Sequence, residues 1–477
     1  MSLGKRRRER QESIWIEGAS LVSAGGHPFY ERLNRILDGR GFDTFAEEAC
    51  REFYSTTGRP GLAPGIYFRL LLVGYFEGID GERGIAWRVG DSLALRRFLG
   101  FELHEGTPDH TTISRTRRLI DVETHRAIFG WVLQVLAEEG VLKGNTIAID
   151  GTTLEANAAL RSIVHRATGE AYNEFLKRLA AESGIETPTR EQLAKMDRKR
   201  PRKGSNEEWE SPQDPDARIV KMKDGRTHLA HKAEHAVDLD TSAVVAVTLQ
   251  EADKNDTTTL NLTLSEAGEA VAELAVREAS QRLDRKPKVN VNGIEELVAD
   301  KGYHSGALLE RVKGNQVCSY IPEQQQKGRR NWDGKAGQQQ AVYANRRRVQ
   351  GSYGKSLLKR RGERVERSFA HCYDTGGMRR THLRKHDNIL KQQLIHVATF
   401  NLSLMFRRLP GAGSPREWSN LGGRLLLFLL GIFRGRKDCT RPCRCPILGS
   451  RAISTSRAAF PARSRQRRKS GSYTTGC

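Results

Sequence analysis

The stretch Leu297-Val298-Ala299-Asp300-Lys301-Gly302-Tyr303-His304 decides how the rest of this chain is interpreted. Its first three residues are apolar, a pattern typical of a short buried strand that ends at the carboxylate of Asp300. Gly302 then predicts a turn away from the strand. A carboxylate at a strand end can bind a metal ion, but aspartate is also a common turn former. The stretch alone does not separate these two interpretations.

A second strand of the same kind lies earlier in the chain, at Thr146-Ile147-Ala148-Ile149-Asp150. Gly151 follows, and an Asp-Gly pair is also a hairpin signal. Between the two acidic strands, β-branched runs at 231–237 and 242–249 predict an antiparallel hairpin, and the apolar spacing of 260–274 predicts a helix. This order predicts an α/β fold, in which a mixed sheet flanked by helices places the ends of the two acidic strands side by side.

A third carboxylate, Glu366, flanks the apolar stripe of a predicted helix that carries Val365 and Phe369. This helix can close over the two strand ends. A surface ion pair with neighbouring arginines is the alternative role for Glu366. Three carboxylates without a His or Cys cluster would form an oxygen-rich site that suits Mg²⁺ or Mn²⁺. Two such ions could support an in-line phosphoryl transfer.

The charge of the chain indicates a polyanionic partner. The formal net charge is +22 over 477 residues, and nucleic acid is the usual partner of so basic a protein. Residues 29–140 have helical spacing, and Thr107-Pro108 predicts the start of a helix that carries Arg115 and Arg117. Such a region is compatible with a helix-turn-helix DNA reader and equally with an ordinary helical bundle.

Two polar segments interrupt the α/β pattern. Residues 155–230 are predicted to form an insertion or surface arm, with a turn-like and mobile part from Lys199 to Glu210. Residues 323–355 are predicted to form a basic loop that contains Arg346, Arg347 and Arg348, with tyrosines between the cations. Cations mixed with aromatic residues suit a surface that follows a nucleic-acid backbone. A solvated loop is the alternative.

The ends of the chain are predicted to lie outside the folded body. Residues 1–28 form a basic flexible lead without the apolar segment of a signal peptide, and residues 411–477 form a basic, disordered tail. The apolar run 425–433 is too short to span a membrane. Seven cysteines without regular spacing indicate a reducing compartment, and the spacing of Cys439, Cys443 and Cys445 is not that of a standard zinc site.

Several blocks of the chain together resemble the DDE transposases of bacterial insertion sequences. The blocks from the helical region are Pro60-Gly61-Leu62-Ala63-Pro64-Gly65 and the TPDHTTISR segment at 107–115. The later blocks are Ile149-Asp150-Gly151-Thr152 with Ala156-Asn157, Asp214-Pro215-Asp216-Ala217-Arg218, His231-Lys232 with Ala236-Val237-Asp238, Ala299-Asp300-Lys301-Gly302-Tyr303, Val365-Glu366-Arg367-Ser368-Phe369, and Gly377-Met378-Arg379-Arg380 with Asn388. The resemblance covers roughly 30–410.

The resemblance implies a ribonuclease H-like catalytic domain at 145–410, preceded by an InsH-like, all-α DNA-binding domain. It implies that Asp150, Asp300 and Glu366 form a metal-binding catalytic triad for Mg²⁺ or Mn²⁺, with two ions. The implied activity is cleavage of DNA at the element ends and joining of the 3′ ends to a target. The residues implied to lie near substrate phosphates are Lys301, Tyr303, Arg367 and His371.

The partners implied by the resemblance are double-stranded DNA, as terminal inverted repeats and as target, and a second copy of the chain on that DNA. The protein is expected to be cytoplasmic and associated with the nucleoid, without contact with a membrane. The Lys385-His386-Asp387 stretch departs from the family pattern, because a glycine is expected there. Two alternatives stay open: an inactive relic that binds DNA or represses, and a nuclease without strand transfer.

Overall fold

The computed structural model describes residues 2, 4–5, 26–200, 204–222, 225–281, 287–325, 330–408 and 413–418. The predicted basic lead lies almost wholly outside these residues. The run 425–433, the three C-terminal cysteines and nearly all of the predicted disordered tail also lie outside them.

A helical region precedes the sheet, as predicted. Its helices are α1 (Pro28–Gly39), α2 (Phe42–Ala49), α3 (Pro64–Glu77), α4 (Glu82–Asp91), α5 (Leu93–Leu99), α6 (His110–Leu119) and α7 (Val122–Glu138). Arg69 is fully buried among them and donates to Asp38 at 2.7 Å and to Asp43 at 3.2 Å. The predicted start of α6 is wrong, because the cap is the Asp109 side chain, which accepts from the Thr112 N–H.

A mixed sheet forms the centre of the α/β region and confirms the predicted fold class. Its strands are β1 (Thr146–Glu155), β4 (Arg218–Lys221), β5 (Thr227–Asp238), β6 (Val244–Glu251), β7 (Glu296–Ala299) and β8 (Cys318–Tyr320), and a separate pair consists of β2 (Val164–His165) and β3 (Trp209–Glu210). The order is β4-β5-β1-β7-β8, with β6 also paired to β5. β1, β7 and β8 run parallel, and the predicted β5–β6 hairpin is antiparallel.

Helices cover both faces of this sheet. They are α8 (Tyr172–Glu182), α9 (Arg190–Lys199), α10 (Asp256–Gln281), α11 (Gly306–Gly314), α12 (Ala336–Gln350), α13 (Ser352–Ala370) and α14 (His386–Arg408). On one face Thr263 of α10 donates to Glu234 of β5. On the other face Ser368 of α13 contacts His235, and Ile389 of α14 packs with Leu154 of β1. One hydrophobic core includes residues of α7, the sheet and α14, so the helical region and the α/β region pack together.

Both predicted polar segments have more structure than the sequence pattern indicated. The described part of residues 155–230 has its own small core around Trp209, which is buried and lies in β3. The loop predicted at 323–355 is largely helical, since α12 and the start of α13 occupy it. In α12 the buried residues Ala341, Val342 and Asn345 share one face, so polar composition hid a helical period.

The lysine at position 385, where the family pattern has a glycine, adopts a backbone conformation that favours glycine. Lys385 has a φ of 70°, in the left-handed region that favours glycine. Its N–H donates to Asp214 Oδ1 at 3.0 Å, which holds the residue at the start of α14.

We expect Lys385→Gly to be more stable than Lys385→Ala by roughly 0.5–1 kcal/mol, because only glycine adopts this backbone without strain. Both variants remove the same charge, so Lys385→Ala is the matched control. Urea denaturation of both proteins measures the difference. Equal midpoints would show that the left-handed backbone carries no strain.

Candidate functional site

Asp150 and Asp300 lie side by side at one edge of the sheet. β1 and β7 are parallel neighbours, and Ile149 pairs with Ala299 at the last register position. The next residue in each strand direction is an aspartate, so the predicted juxtaposition of Asp150 and Asp300 is confirmed. The predicted end of the first strand at Asp150 is wrong, because β1 continues to Glu155 through its pairing with β5. Asp300 also precedes the short 3₁₀ turn Lys301–Tyr303, which carries the chain away from the sheet.

Arg361 of α13 bridges the two aspartates. Its Nη1 donates to Asp150 Oδ2 at 2.6 Å, and its Nη2 lies 3.6 Å from Asp300 Oδ1. Arg361 is not among the residues predicted above, although the sequence contains a signal for it. Arg361 stands four positions from both Leu357 and Val365, which are fully buried. An arginine in a buried helical stripe needs an acidic partner, because an unpaired charge is costly there.

The electrostatics of Asp150 follow from this arrangement. Burial raises the pKa of Asp150, the positive charge of Arg361 and the Gly151 N–H oppose the rise, and the negative charge of Asp300 adds to it. The net shift is upward. Apart from this shift, two ionised carboxylates beside one guanidinium leave one negative charge uncompensated, which favours a bound cation.

Glu366 is not gathered with the two aspartates. It is exposed, and in the described residues its side chain has no assigned hydrogen bond or ion pair. Glu366 stands five positions after Arg361, which is about 140° around an ideal helix. Among the described residues, no group of three or more His, Cys, Asp or Glu side chains is placed to hold a metal ion. The triad therefore stays a prediction.

The opposite face of the sheet supports the two strand ends with buried polar contacts. Lys232 pairs with Glu234 at 3.1 Å and with Asp256 at 2.6 Å. The Tyr303 hydroxyl donates to Glu234 at 3.0 Å, and burial followed by the charge of Glu234 raises the pKa of Tyr303. Tyr303 is therefore buried within the protein. Its predicted contact with substrate phosphate stays a prediction that this placement does not favour.

Gly302, two residues after Asp300, provides space for a neighbouring side chain, whereas the sequence pattern predicted that it would allow a turn. Gly302 does not have a left-handed backbone. A Cβ atom at Gly302 would collide with Asp256 Oδ2, so the residue provides room for that carboxylate. At Gly151 a Cβ atom would lie 3.1 Å from both Lys232 Cε and the Tyr303 hydroxyl. Both glycines let the polar contacts of Lys232 approach the backbone beside the aspartates.

His235 lies opposite Asp150 in the antiparallel β1–β5 register. Its Nδ1 shares a hydrogen bond with Ser368 Oγ at 3.0 Å, and its ring stacks on Phe369 at a centroid distance of 4.1 Å. Burial lowers the pKa of His235 to about 3. His235 therefore joins the aspartate edge of the sheet to α13 as a neutral side chain.

The other residues predicted near substrate phosphates have different surroundings. Lys301 is exposed beside Asp300. Arg367 donates to Glu363 one turn away at 3.1 Å. His371 lies 3.3 Å from Arg407, and burial followed by that positive charge lowers its pKa. Of these residues, Lys301 has the most open position for contact with DNA.

The three arginines of α12 differ in whether their side chains bind other residues of the protein. Arg346 makes a two-pronged ion pair with Glu323, at 2.9 and 3.1 Å. Arg348 donates to the Ser319 carbonyl at 2.9 Å and to the Ser319 hydroxyl at 3.0 Å, which fastens α12 to β8. Arg347 is exposed and has no assigned partner within the described chain. Arg347 is thus the one of the three whose head group is open to a ligand.

The two arginines of α6 that the sequence analysis singled out, Arg115 and Arg117, differ in the same way. Arg117 pairs with Glu82 of α4 at 2.6 Å, and its side chain is only 12% exposed. Arg115 is exposed, with no assigned partner among the described residues. Arg117 therefore joins two helices, and Arg115 is available to solvent.

The Asp214-Pro215-Asp216 block contacts the start of α14. Asp214 and His231 are both fully buried, and their side chains share a hydrogen bond at 3.0 Å. Asp216 accepts from the His386 N–H at 3.0 Å. These acidic residues hold α14 against the sheet, a role that the sequence pattern did not predict.

The comparisons with known families agree with this geometry. The family model described as Transposase DDE domain matches residues 143–402, and the model described as Transposase domain (DUF772) matches residues 19–119. The chain belongs to the DDE transposase family. The expected ribonuclease H-like fold of this transposase is thereby confirmed, and its family cleaves DNA and generally uses divalent metal ions. A search of the curated proteins finds no match.

Within the described ranges, no helix of this transposase combines the length and apolar character needed to cross a bilayer.

The buried histidine beside Asp150 predicts a pH dependence of stability. Folding lowers the pKa of His235 from 6.5 to about 3, so the native protein resists protonation there. The resulting stability is fully present above pH 6.5 and is lost as the pH falls toward 3. Below pH 6 this histidine adds a slope of about 1.4 kcal/mol per pH unit.

We expect His235→Gln to show a shallower loss of stability with acid than the parent protein. Urea midpoints between pH 7.5 and 4.5 measure the slope. His104→Gln is the control, because the His104 side chain is 75% exposed and should leave the slope unchanged. Identical slopes for the parent and His235→Gln would contradict the assignment.

Proposed function

We propose that this protein is a transposase that cleaves DNA at the ends of an insertion sequence and joins the 3′ ends to a target. The single observation that supports this most strongly is the adjacency of Asp150 and Asp300, each one residue beyond the last β1–β7 pair, inside the segment that matches the DDE family. Glu366 would supply the third carboxylate from α13, which packs against both strands.

The donor set at this edge fits a divalent cation. Carboxylate oxygens are preferred ligands of Mg²⁺ and Mn²⁺. The two aspartates already share a positively charged group, the Arg361 guanidinium, which shows that the edge attracts positive charge. Asp150 and Asp300 would hold the metal, with Glu366 completing the ligands. Two bound ions would supply activation of a water or 3′-hydroxyl and stabilisation of the leaving oxygen.

The residues around the aspartates orient them and define where DNA would approach. The Gly151 N–H donates to Asp150 Oδ1 at 2.9 Å, which fixes the carboxylate on the α13 side of the sheet. Lys301 is exposed next to Asp300 and would contact a DNA phosphate there. Exposed Arg115 and Arg347 would add sequence-independent phosphate contacts.

The partners of the protein follow from this reaction. The net charge of +22 suits double-stranded DNA, both as terminal inverted repeats and as target. Joining two element ends to one target brings two active sites together, so a homodimer assembled on DNA is part of the proposal.

A second candidate function is a DNA-binding repressor that no longer cleaves. It is favoured by the position of Glu366, which is exposed and apart from the two aspartates. A nuclease without strand transfer would use the same carboxylates and differ only in producing no joined DNA.

We expect Asp150→Asn, Asp300→Asn and Glu366→Gln each to lower DNA cleavage at least about 100-fold, because each removes a charged ligand for the metal. DNA binding should change little, since phosphate contacts come from other side chains. Cleavage and joining are measured on gels with purified protein, the DNA that flanks its own gene, and Mg²⁺ or Mn²⁺.

Glu363→Gln is the matched control, because Glu363 is an exposed acid on the same helix, three positions before Glu366. It should leave cleavage nearly unchanged. Full cleavage by all three site variants would refute the assignment of the triad. Binding without cleavage by the parent protein, with either ion, would favour the repressor. Cleavage without joined products would favour the nuclease.

A further inference from the structure

Arg361 occupies the position between the two aspartates that a metal ion would also need. Its side chain is 15% exposed, and its two terminal nitrogens face Asp150 Oδ2 and Asp300 Oδ1. These oxygens belong to the carboxylates that the proposed function assigns to the metal. A guanidinium and a divalent cation repel each other, so both cannot lie between the same oxygens at once.

The contacts of Arg361 are incomplete for a permanent structural pair. The contact with Asp300 is long, at 3.6 Å, and the buried Nε has no hydrogen-bond partner in the described structure. A stable buried arginine usually satisfies its donors. By comparison, the buried Arg69 in the helical region contacts three acceptors, Asn34, Asp38 and Asp43. Arg361 is therefore held mainly by charge, and a stronger cation could replace it.

The charges at the site also favour replacement. Arginine carries a single positive charge at any physiological pH. One guanidinium between two aspartates leaves one negative charge uncompensated, whereas one divalent cation balances both. The arginine thus keeps the two carboxylates together without metal, but it neutralises less of their negative charge than a divalent metal ion would.

We propose that Arg361 is an internal counterion that holds Asp150 and Asp300 together without metal and must leave before a divalent cation binds. The inference rests on the proposed function, because it takes these carboxylates to be metal ligands. Arg361 therefore sets the metal affinity of the site. Its release also removes the ion pairs that α13 makes with the two aspartates, and α13 carries Glu366.

A contrary role for Arg361 makes the opposite prediction. If Arg361 were a fixed part of the metal site that orients the aspartates for the ion, removing it would weaken metal binding. The direction of the change in affinity therefore separates the two roles without any measurement of catalysis.

The experiment measures Mn²⁺ binding to the purified full chain by electron paramagnetic resonance, in the absence of DNA. We expect Arg361→Gln to bind Mn²⁺ about tenfold more tightly than the parent, because the competing charge is gone. Without metal, Arg361→Gln should melt at a lower temperature, and saturating Mn²⁺ should raise its Tm by more than it raises that of the parent.

Arg360→Gln is the matched control. Arg360 is the preceding arginine on α13, but it donates to the Leu239 carbonyl and to Asp240, away from the aspartates. It should leave Mn²⁺ affinity unchanged. Arg361→Lys provides the second variant, because lysine is a point charge that cannot bridge two carboxylates as a guanidinium does. It should bind Mn²⁺ more tightly than the parent and less tightly than Arg361→Gln.

Asp300→Asn separates the failure of this inference from the failure of the proposed function. If Asp300→Asn binds Mn²⁺ as the parent does, the carboxylates are not the metal site and the proposed function fails. If Asp300→Asn loses Mn²⁺ binding but Arg361→Gln binds no more tightly than the parent, only the counterion role is overturned. Should Arg361→Gln not fold without metal, the affinity of Arg361→Lys decides in the same way.

Discussion

The parallel pairing of β1 with β7 is the constraint on which the candidate site depends. It ends with Ile149 beside Ala299, so the next residue of each strand places two carboxylates next to each other. Like charges at this distance repel, and burial makes the charged form of Asp150 more costly still. The arrangement persists because a cationic group lies between the two aspartates. In this structure that group is Arg361, and in the proposed reaction it is a divalent metal ion.

The two faces of the sheet stabilise this edge by different means. On the α10 face, Lys232, Glu234 and Tyr303 form a connected set of buried polar contacts directly behind the aspartates. Each polar group there has a partner, which makes such a network rigid. On the α13 face, Arg361 contacts the aspartates and the neutral His235 contacts Ser368 and Phe369. Leu357 and Val365 of α13 are also buried in the main core. The site therefore combines a connected polar network on one face with a replaceable ion pair on the other, where α13 is also held by apolar packing.

Helices α7 and α14 share a hydrophobic core with the sheet that carries the two aspartates. The hydrophobic core continues from α7 through the sheet to α14, so the helical region is packed onto the α/β region. The start of α14 is held by Asp214 and Asp216, and the left-handed Lys385 lies at that junction. Lys385 therefore occupies a position where the family pattern has a glycine, and its backbone adopts the left-handed conformation that favours glycine.

The sequence by itself determined the mixed sheet, the β5–β6 hairpin and the neighbouring positions of Asp150 and Asp300, because apolar and β-branched runs mark buried strands. The sequence also contains a pattern that predicts a buried ion pair for Arg361, because this residue stands four positions from two apolar residues on the same helix. Local pattern could not reveal that α12 replaces a predicted loop, that Tyr303 points into the protein, or that Asp214 holds α14. Nor could it reveal that the Glu366 side chain is exposed. These features depend on contacts between residues far apart in the chain, and only the tertiary structure decides which polar side chains are buried, paired or exposed to solvent.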